Sequence, residues 1–336
     1  MPNNDLERTQ HFTTNFNQIC SNLVKYIPKE AHLIEPFVGD GMLLNLFPNG
    51  NWECYDIEPK INAIQQDTLL NPLDYKNKYV ITNPPYLARN KAINKTLFDK
   101  YNLDDLYKIA MHTVINAEGG ILIIPTNFFS DNNSKDIRKE FLDQFYICEL
   151  NIFTTPIFES TTYSVCAFAF LKQNTPIKEQ NILTHIYPQN TNITLKLYQN
   201  YNYRIGGEIF DEINTIIPIF TRLQQNHEYT GYLTNIYLTG LDTRTELFHL
   251  SYNEVPFYGK TTDRIYATLI STHNFTPNEQ KLLIETFNKE IKDFRNKYGN
   301  LVFTNYRDYN RKRVEFDFVY RYLTKIAQEK KIITAA

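Results

Sequence analysis

The sequence predicts an α/β fold in which a mostly parallel sheet carries helices on both faces and a mixed α/β domain follows it. Three observations support this prediction. A short apolar strand ends in a Gly-x-Gly turn at Gly39 and Gly41, and the next two predicted strands lead to Asp56 and Asp67. A fourth apolar segment, residues 79–82, runs into Asn-Pro-Pro-Tyr. Open α/β sheets bind ligands at the carboxyl ends of their strands, so these polar residues are expected at one edge.

Hydrophobic periodicity predicts the other elements of the first half. Apolar residues at helical spacing after a Thr N-cap predict a helix over residues 10–27. An unbroken apolar run after a Gly pair predicts a central strand near residues 119–125. The further predictions, in chain order, are a flexible flap at 87–98, helices at 100–116 and 136–145, and an antiparallel strand pair at 146–153 and 162–171.

Length and charge indicate two domains. The chain has 336 residues, and we expect one domain at 1–172, a polar linker at 173–180 and a second domain at 181–336. The second domain is predicted as short strands, a helix over 277–298 and a last helix over 314–328. Residues 1–172 carry a formal charge of −5 and residues 173–336 carry +3. The second half is therefore the better place for a polyanion.

The cysteines and the N-terminus point to the compartment. Cys20, Cys54, Cys148 and Cys166 have no Cys-x-x-Cys pair or neighbouring His at zinc spacing, so we expect reduced thiols and no metal. The first residues lack the basic-then-apolar pattern of a signal peptide, and no apolar run approaches the roughly 18 residues of a membrane span. The sequence predicts a soluble, cytoplasmic protein without membrane contact.

The segment Asn83-Pro84-Pro85-Tyr86 is the strongest chemical signal. Two successive prolines lack backbone N–H groups and fix φ, which predicts a stiff, extended loop. The Asn83 side-chain oxygen and the Pro84 carbonyl can accept two hydrogen bonds from an exocyclic amino group, while Tyr86 covers the ring that bears it. We therefore expect a site for a planar amine. A proline turn that closes a buried strand is the alternative.

These motifs together carry a family resemblance. The segment from Glu35 to Gly41, Glu-Pro-Phe-Val-Gly-Asp-Gly, and the Asn-Pro-Pro-Tyr loop resemble the cofactor and catalytic motifs of S-adenosylmethionine (SAM)-dependent amino-methyltransferases. The resemblance is to the gamma-class DNA adenine-N6 methyltransferases of restriction-modification type and covers about residues 11–172. It implies a Rossmann-like seven-stranded SAM-dependent methyltransferase sheet with strand seven antiparallel. It also implies a catalytic first domain and a C-terminal target-recognition domain that binds DNA.

The resemblance implies specific cofactor contacts. Asp56 would take the ribose hydroxyls, which its place about 20 residues after the glycine turn also favours. Ile57 would flank the adenine, and Asp67 would accept from the adenine amine, with a helix N-cap as the bland alternative. The full set of cofactor candidates is Thr13, Glu35, Pro36, Phe37, Gly39, Gly41, Asp56, Ile57, Asp67, Thr68, Asn83 and Tyr107.

Two of these candidates have alternatives of their own. Thr13 resembles the residue that helps to hold the SAM carboxylate at a helix start, but Thr14 stands where the family usually has Pro. An ordinary capped helix explains Thr13 equally well. Tyr107 resembles an aromatic residue that packs on the cofactor adenine, and plain helix packing is its alternative.

One further segment concerns catalysis. Thr155-Pro156-Ile157-Phe158-Glu159 resembles the family's last methyltransferase motif, whose aromatic residue stacks on the extruded base. Phe158 would then be the partner of Tyr86, and a core position is the alternative. The catalytic candidates are Asn83, Pro84, Pro85, Tyr86 and Phe158.

In the second half, residues 305–313 interleave aromatic and basic side chains, a mixture that suits phosphate and base contacts. A solvated basic loop is the alternative. The DNA-binding candidates are Arg307, Arg311, Lys312 and Arg313.

Three functions compete at this stage. The first is a site-specific methyltransferase that acts on the N6 amine of a flipped adenine in double-stranded DNA. The second is the same chemistry on cytosine N4, RNA adenine or protein glutamine; the long extension after the sheet disfavours a protein-glutamine enzyme. The third is a non-catalytic SAM-fold DNA-binding subunit, which the intact Asp56, Asp67, Asn83 and Tyr86 disfavour. The resemblance implies SAM as cofactor, DNA as partner, a cognate restriction endonuclease as a second partner, and a monomer or homodimer.

Overall fold

The computed structural model describes residues 16–158, 164–305 and 310–334. Thr13, Glu159 and Arg307 lie outside these ranges. The chain divides into two compact units, Met1–Ile205 and Gly206–Ala336.

The described part of the first unit is built on a nine-stranded sheet. Its strands are β1 (His32–Glu35), β2 (Asn51–Asp56), β3 (Ile64–Gln65), β4 (Tyr79–Thr82), β5 (Gly119–Pro125), β6 (Phe145–Phe153), β7 (Val165–Lys172), β8 (Glu179–Tyr187) and β9 (Thr191–Tyr198). They lie in the order β3-β2-β1-β4-β5-β7-β6-β8-β9. β1 to β5 run parallel, and β7 is antiparallel to both β5 and β6. This arrangement confirms the Rossmann-like seven-stranded sheet with strand seven reversed.

The last two strands extend this sheet beyond the predicted seven. β8 pairs parallel to β6 and β9 pairs antiparallel to β8. The sequence analysis assigned residues 173–180 to a linker and the segments of β8 and β9 to the second domain. Ile182, Leu195 and Leu197 are at most 1% exposed in the first unit. Because burying these side chains stabilises the first sheet, the compact unit runs on to Ile205.

Because the first unit extends to Ile205, the formal charge of the second unit is smaller than the sequence halves suggested. From Gly206 onward the sequence has 17 Lys+Arg against 16 Asp+Glu, a formal charge of +1. The +3 of residues 173–336 therefore came partly from residues that belong to the first unit. Local placement of cations, rather than net charge, must carry any case for a polyanion in the second unit.

The helices among the described residues of the first unit are α1 (Phe16–Cys20), α2 (Thr96–Tyr101), α3 (Leu106–Thr113), α4 (Asn127–Ser130) and α5 (Lys135–Gln144). The single helix predicted at 100–116 is two helices, because Asn102 takes a left-handed conformation (φ 53°) and Asp105 then caps α3. The helix predicted over 10–27 is reduced, within the described residues, to α1 and a 3₁₀ turn at Val24–Tyr26. β5 forms the centre of the core, since residues 121–124 are at most 1% exposed.

The second unit is the predicted mixed α/β domain. Its sheet has the order β10-β13-β11-β12, with β10 (Phe220–Arg222), β11 (Tyr232–Thr239), β12 (His249–Tyr252) and β13 (Tyr266–Ser271). β14 (Thr304–Asn305) and β15 (Lys312–Arg313) pair as a short ribbon. The helices are α6 (Gly207–Asn214), α7 (Pro277–Lys297) and α8 (Phe316–Glu329). Among the described residues, no helix has both the length and the apolar character needed to cross a membrane.

Candidate active site

The site begins where β1 and β4 end side by side. These strands pair in parallel, so the turn after β1 and the loop after β4 leave the sheet at the same edge. Glu35 Oε1 accepts hydrogen bonds from Thr82 Oγ1 (2.5 Å) and from the Phe37 N–H (3.1 Å). Burial raises the pKa of Glu35 to about 8, so its carboxyl group is mostly protonated at neutral pH. A buried, mostly uncharged carboxyl group thus joins the two functional loops.

The glycine turn after β1 orients the first acidic candidate. Gly39 (φ 55°) and Gly41 (φ 77°) are left-handed, and a Cβ at Gly41 would lie 2.7 Å from Ile61 Cδ1. The Gly39 N–H donates to Asp56 Oδ2 (2.8 Å), and the Glu58 N–H donates to Asp56 Oδ1 (2.9 Å). Asp56 is 2% exposed. The end of β2 is therefore tied to the glycine turn through a buried carboxylate.

The segment after β3 is tied to the same turn. Thr68 Oγ1 donates to the Pro36 carbonyl (3.0 Å). Asp67 Oδ1 accepts from the N–H groups of Leu69 (3.1 Å) and Leu70 (2.9 Å), so it caps a turn and not the helix that was its alternative. Within the described residues Asp67 Oδ2 makes no hydrogen bond, so this oxygen is available to a ligand. Capping and ligand binding are compatible here.

The Asn-Pro-Pro-Tyr loop turns its tyrosine inward. Asn83 is half-buried, and Tyr86 is only 8% exposed. The Tyr86 hydroxyl oxygen lies 2.5 Å from Asn83 Oδ1 and 2.8 Å from the Ile123 carbonyl oxygen. We expected the Tyr86 ring to cover the ring that bears the bound amine. In the structure the Tyr86 ring is instead buried inside the protein, and its hydroxyl group contacts the Asn83 amide.

Tyr107 and the start of α3 support this loop from behind. Tyr107 is 3% exposed and meets Tyr86 edge to face, with ring centroids 6.2 Å apart and planes at 88°. The Leu87 N–H donates to Asp105 Oδ1 (3.1 Å), and the Leu106 N–H donates to the Leu87 carbonyl (3.1 Å). Desolvation raises the pKa of Asp105 to about 7. Tyr107 thus contacts a catalytic candidate directly.

The predicted flap at 87–98 is held at its two ends and at Ala92, while most of its other residues are exposed. An isolated β-bridge joins Ala88 to Asp105, and α2 already begins at Thr96. Ala92 (8% exposed) and Phe98 (1% exposed) lie in an apolar cluster with residues of α3. These two residues contact a helix further along the chain, so their packing has no local sequence signal, and the flexibility of the segment stays a prediction.

The remaining first-unit candidates lie in different settings. Phe158 is 3% exposed, which agrees with the core alternative in this structure. Phe37 and Ile57 are half-buried beside the glycine turn and the end of β2. Thr13 lies outside the described residues, so its role stays a prediction.

Sequence reasoning missed three groups that position the site. Thr82 falls at the end of the apolar segment 79–82, and Asp105 falls inside the helix predicted at 100–116, where the sequence analysis gives neither residue a role. Asp105 carried a readable signal, because Asp before an apolar helical run is a common N-cap. The Ile123 carbonyl that meets Tyr86 had none, since a backbone oxygen at the centre of a sheet has no sequence signature.

The basic candidates of the second unit divide sharply. Arg307 lies outside the described residues, and Arg311 and Arg313 are half-buried. Lys312 is 1% exposed; its Nζ donates to the side-chain oxygens of Asn305 and Asn310, and burial lowers its pKa to about 7. A lysine enclosed in this way cannot reach a phosphate, so the predicted DNA contact by Lys312 is corrected to an interior position.

Several solved structures resemble parts of the chain. One is a modification subunit assigned to a type I restriction enzyme from Vibrio vulnificus YJ016, with a TM-score of 0.44 and 11% identity over 63% of this chain and 54% of that one. Another is the type I restriction-modification methyltransferase subunit from Streptococcus thermophilus, with a TM-score of 0.43 and 14% identity over 59% of each chain. A third is a protein assigned as a class I S-adenosylmethionine-dependent methyltransferase from Listeria monocytogenes. It has a TM-score of 0.42 and 13% identity over 53% of this chain and 66% of that one.

This chain thus spans between about half and two thirds of the length of these structures. All three TM-scores lie below 0.5, so the fold assignment rests on the strand order. No curated protein sequence matches the chain significantly.

A family comparison is decisive. Residues 49–229, more than half of the 336, match the sequence profile described as N-6 DNA Methylase. The matched region contains Asp56, Asp67, the Asn-Pro-Pro-Tyr loop and Phe158. The resemblance to DNA adenine-N6 methyltransferases is thereby confirmed, and the chain belongs to the N-6 DNA Methylase family.

Proposed function

We propose that this protein transfers a methyl group from S-adenosylmethionine to the N6 amine of an adenine flipped out of double-stranded DNA. One observation carries the proposal: Asn83 leaves β4 directly beside the glycine turn, and the Thr82–Glu35 hydrogen bond of 2.5 Å holds the two together. A cofactor in the turn and an amine at Asn83 would therefore be neighbours. Such fixed proximity removes much of the entropic cost of a two-substrate reaction.

The donor set fits S-adenosylmethionine. The left-handed glycines let backbone approach a ligand without a side chain between them. A carboxylate oxygen has two acceptor positions, so Asp56 can accept from ribose hydroxyls in addition to the Gly39 and Glu58 N–H groups. Asp67 Oδ2 suits the cofactor's adenine amine. When bound, S-adenosylmethionine supplies the electrophilic methyl group.

Because Asp56 is 2% exposed, its ribose contact requires the turn at Gly39 to open slightly. Glycines suit such a movement, since their backbone has several accessible conformations.

The chain's own residues act on the acceptor amine. An exocyclic amine is conjugated with its ring and is a poor nucleophile. The Asn83 carboxamide oxygen and the Pro84 carbonyl would accept its two hydrogen bonds, which would draw the nitrogen lone pair out of conjugation. As the new C–N bond forms, the methyl–sulfur bond of the donor would break, and one of the two amine protons would then leave to water. The Tyr86 hydroxyl, 2.5 Å from Asn83 Oδ1, keeps the amide oriented before the amine arrives. Dipoles that are oriented in advance need not reorganise during the reaction.

The carboxyl group that links the two loops is mostly uncharged. Glu35, with its pKa raised to about 8, is mostly neutral at pH 7. The protonated carboxyl serves as a polar connection between the loops.

DNA is the proposed partner of the second unit, which we take as the target-recognition unit. An adenine inside a duplex cannot reach Asn83, so it must leave the stack at a cost of a few kcal/mol, offset by contacts in the site. The motif resemblance further implies a cognate restriction endonuclease as protein partner. A cytosine N4 acceptor is the second candidate, because Asn83 and Pro84 would bind its amine in the same way.

The test is incubation of the protein with duplex DNA and S-adenosylmethionine, followed by digestion to nucleosides and mass spectrometry. N6-methyladenine is expected. N4-methylcytosine would keep the mechanism and correct the base. Asn83→Ala should lose methyl transfer by orders of magnitude while it binds S-adenosylmethionine nearly as well, because the lost contacts act in the transition state. Wild-type protein that binds S-adenosylmethionine but methylates no DNA would refute the proposal.

A further inference from the structure

Two arginines of the second unit converge on the same loop. Arg222 Nη2 donates to the Thr261 carbonyl at 2.7 Å and Arg264 Nη1 donates to the same oxygen at 2.6 Å, so the two nitrogens are at most about 5.3 Å apart. Both side chains also donate to the Asp263 carbonyl. The two guanidinium groups are therefore held side by side by neutral oxygens.

The pair is not compensated by any carboxylate that the structure describes. Among the described residues, none lies within salt-bridge distance of Arg222 or Arg264. Other arginines of the same unit are paired: Arg295 binds Asp242 through two hydrogen bonds of 2.7 and 2.6 Å, and Arg321 binds Asp317 at 2.8 Å. Like charges at such a distance repel, so the fold maintains this pair at a cost that a bound anion would relieve.

The pair opens onto a cleft of about 420 Å³, which we call the arginine cleft. Its walls include Arg222, Arg264 and Arg313, with the rings of Phe316 and Tyr320 beside them. The Arg222 guanidinium lies 5.4 Å from the Phe316 ring centre, so a cation–π contact holds it from the other side. Arg222 and Arg264 against the single Glu315 of the lining leave it positive.

The two guanidinium groups have different capacities for a ligand. When the Gln224 amide is oriented with its oxygen toward Arg222, this oxygen accepts from Arg222 Nε and Nη2 at 2.8 Å each. Arg222 then has few N–H groups left to donate to a ligand. Arg264 uses only Nη1 for its two carbonyl contacts. Within the described part of the chain, its Nε and Nη2 edge remains available, and that edge has the spacing that binds two oxygens of one phosphate.

We propose that the arginine cleft binds a backbone phosphate of the DNA substrate. The inference rests on the proposed function, which makes DNA the substrate. Arg264 is the direct ligand, and Arg222 supplies a fixed positive charge behind it. A phosphodiester carries one negative charge whereas free phosphate carries about 1.5 to 2 at neutral pH. Glu315 in the lining favours the singly charged form, and the cleft volume leaves room for the attached sugar.

The test uses the full-length protein and a fluorescent DNA duplex, with binding measured by anisotropy over a range of salt concentrations. Arg264→Gln should weaken binding about eightfold at 0.1 M salt and reduce the slope of log affinity against log salt by about 0.9, the value for one lost phosphate contact. Arg264→Lys keeps the charge but loses the two-nitrogen edge, so it should recover only part of the affinity. The matched control is Arg244→Gln, an exposed arginine of the same unit.

The outcomes separate this proposal from the proposed function. An Arg264→Gln protein with the affinity and salt slope of wild type would overturn the arginine cleft as a DNA site, whether or not wild type methylates DNA. If wild type methylated no DNA, and DNA binding were weakened in Arg264→Gln but not in Arg244→Gln, the proposed methyltransferase activity would be refuted and the arginine cleft would stand as a DNA site. Inorganic phosphate that raises the melting temperature of wild type but not of Arg264→Gln, with DNA binding unchanged in the variant, would assign the cleft to free phosphate and overturn the proposal.

Discussion

The hydroxyl oxygen of Tyr86 lies 2.5 Å from the side-chain oxygen of Asn83, three residues earlier in the same loop. The Ile123 carbonyl oxygen lies on the other side at 2.8 Å. A hydroxyl has one proton and can donate to only one of these oxygens at a time. The Tyr86 proton can therefore serve Asn83 or the sheet. A carboxamide oxygen has two acceptor positions, so Asn83 Oδ1 can accept from the Tyr86 hydroxyl and from an amine at the same time.

This relationship predicts a selective defect in Tyr86→Phe. The ring and its edge-to-face contact with Tyr107 are kept, but the Asn83 amide loses its anchor. One neutral hydrogen bond contributes about 1 kcal/mol, so single-turnover methyl transfer should slow roughly fivefold to tenfold. S-adenosylmethionine binding, measured by calorimetry, should not change. The control is Tyr107→Phe, which keeps the ring contact; an equal loss of rate in both variants would show that the Tyr86–Asn83 bond has no special role.

The strands and turns around this site were predictable because their signals are local. An apolar run followed by Gly-x-Gly or Pro-Pro fixes where β1 and β4 must end, whatever the rest of the chain does. The inward turn of Tyr86 was not predictable, because it depends on a backbone oxygen at Ile123. Lys312 is the same kind of case, since its backbone N–H is held by Asp242 Oδ2 (3.0 Å), a residue far away in sequence.

The sheet extension shows where local signals stop. Residues 179–187 alternate exposed and buried side chains, a pattern typical of a half-buried strand. The pattern indicates a strand but not its neighbour. Tertiary packing decides that β8 pairs with β6 rather than with a strand of the second unit. The strand itself was therefore predictable, whereas the unit to which it belongs was not.

Glu35 predicts an unusual dependence of stability on pH. Its pKa is about 8 in the folded protein against 4.5 ordinarily, so the folded state binds more protons between these values and the free energy of unfolding should fall as pH rises through this window. Glu35→Gln keeps an oxygen for Thr82 and Phe37 but cannot ionise. Urea denaturation at pH 5 and pH 9 should therefore show a smaller fall in the variant, by about 3 to 5 kcal/mol.

The matched control for this experiment is Glu30→Gln, an exposed glutamate just before β1, whose pH profile should follow wild type. Asp105, with its pKa of about 7, contributes a fall of the same sign in both proteins. Parallel profiles for Glu35→Gln and wild type would mean that Glu35 is not buried as a neutral carboxyl.

Glu149 on β6 predicts the opposite trend. Its carboxylate accepts from Asn22, from the Tyr26 hydroxyl (2.8 Å) and from Lys25 Nζ (2.7 Å), and it meets His185 Nε2 at 2.7 Å. Hydrogen bonds led by that from Lys25 outweigh the desolvation of Glu149 and hold its pKa at about 2. The stability from this network is fully present above pH 4.5 and is lost as pH falls toward 2.

Glu149→Gln should accordingly lower the free energy of unfolding by about 3 kcal/mol at pH 7, and by much less at pH 3. Urea titrations at the two pH values measure the difference. An exposed glutamate of the same unit, Glu179, paired at the surface with Lys196, is the control, because Glu179→Gln should cost less than about 1 kcal/mol. If Glu149→Gln lowered the free energy of unfolding by the same amount at both pH values, the charge of Glu149 would not be the source of the stabilisation, and the packing of the network would be.

The last prediction concerns the cofactor and starts from Asp56, which holds the glycine turn through the Gly39 N–H (2.8 Å). A ligand at about 100 times its dissociation constant stabilises the native state by about 2.7 kcal/mol, so S-adenosylmethionine should raise the melting temperature of wild type measurably. Asp56→Ala should lose most of that rise, because it removes both the ribose ligand and the anchor of the turn. Asp56→Asn keeps one acceptor oxygen for Gly39, so it should fold as stably as Asp56→Ala or better, yet bind weakly. Glu58→Ala, two residues on and exposed, should keep the full rise. If Asp56→Asn bound S-adenosylmethionine as well as wild type, the role of Asp56 would be limited to the turn, and the ribose would have to be held elsewhere.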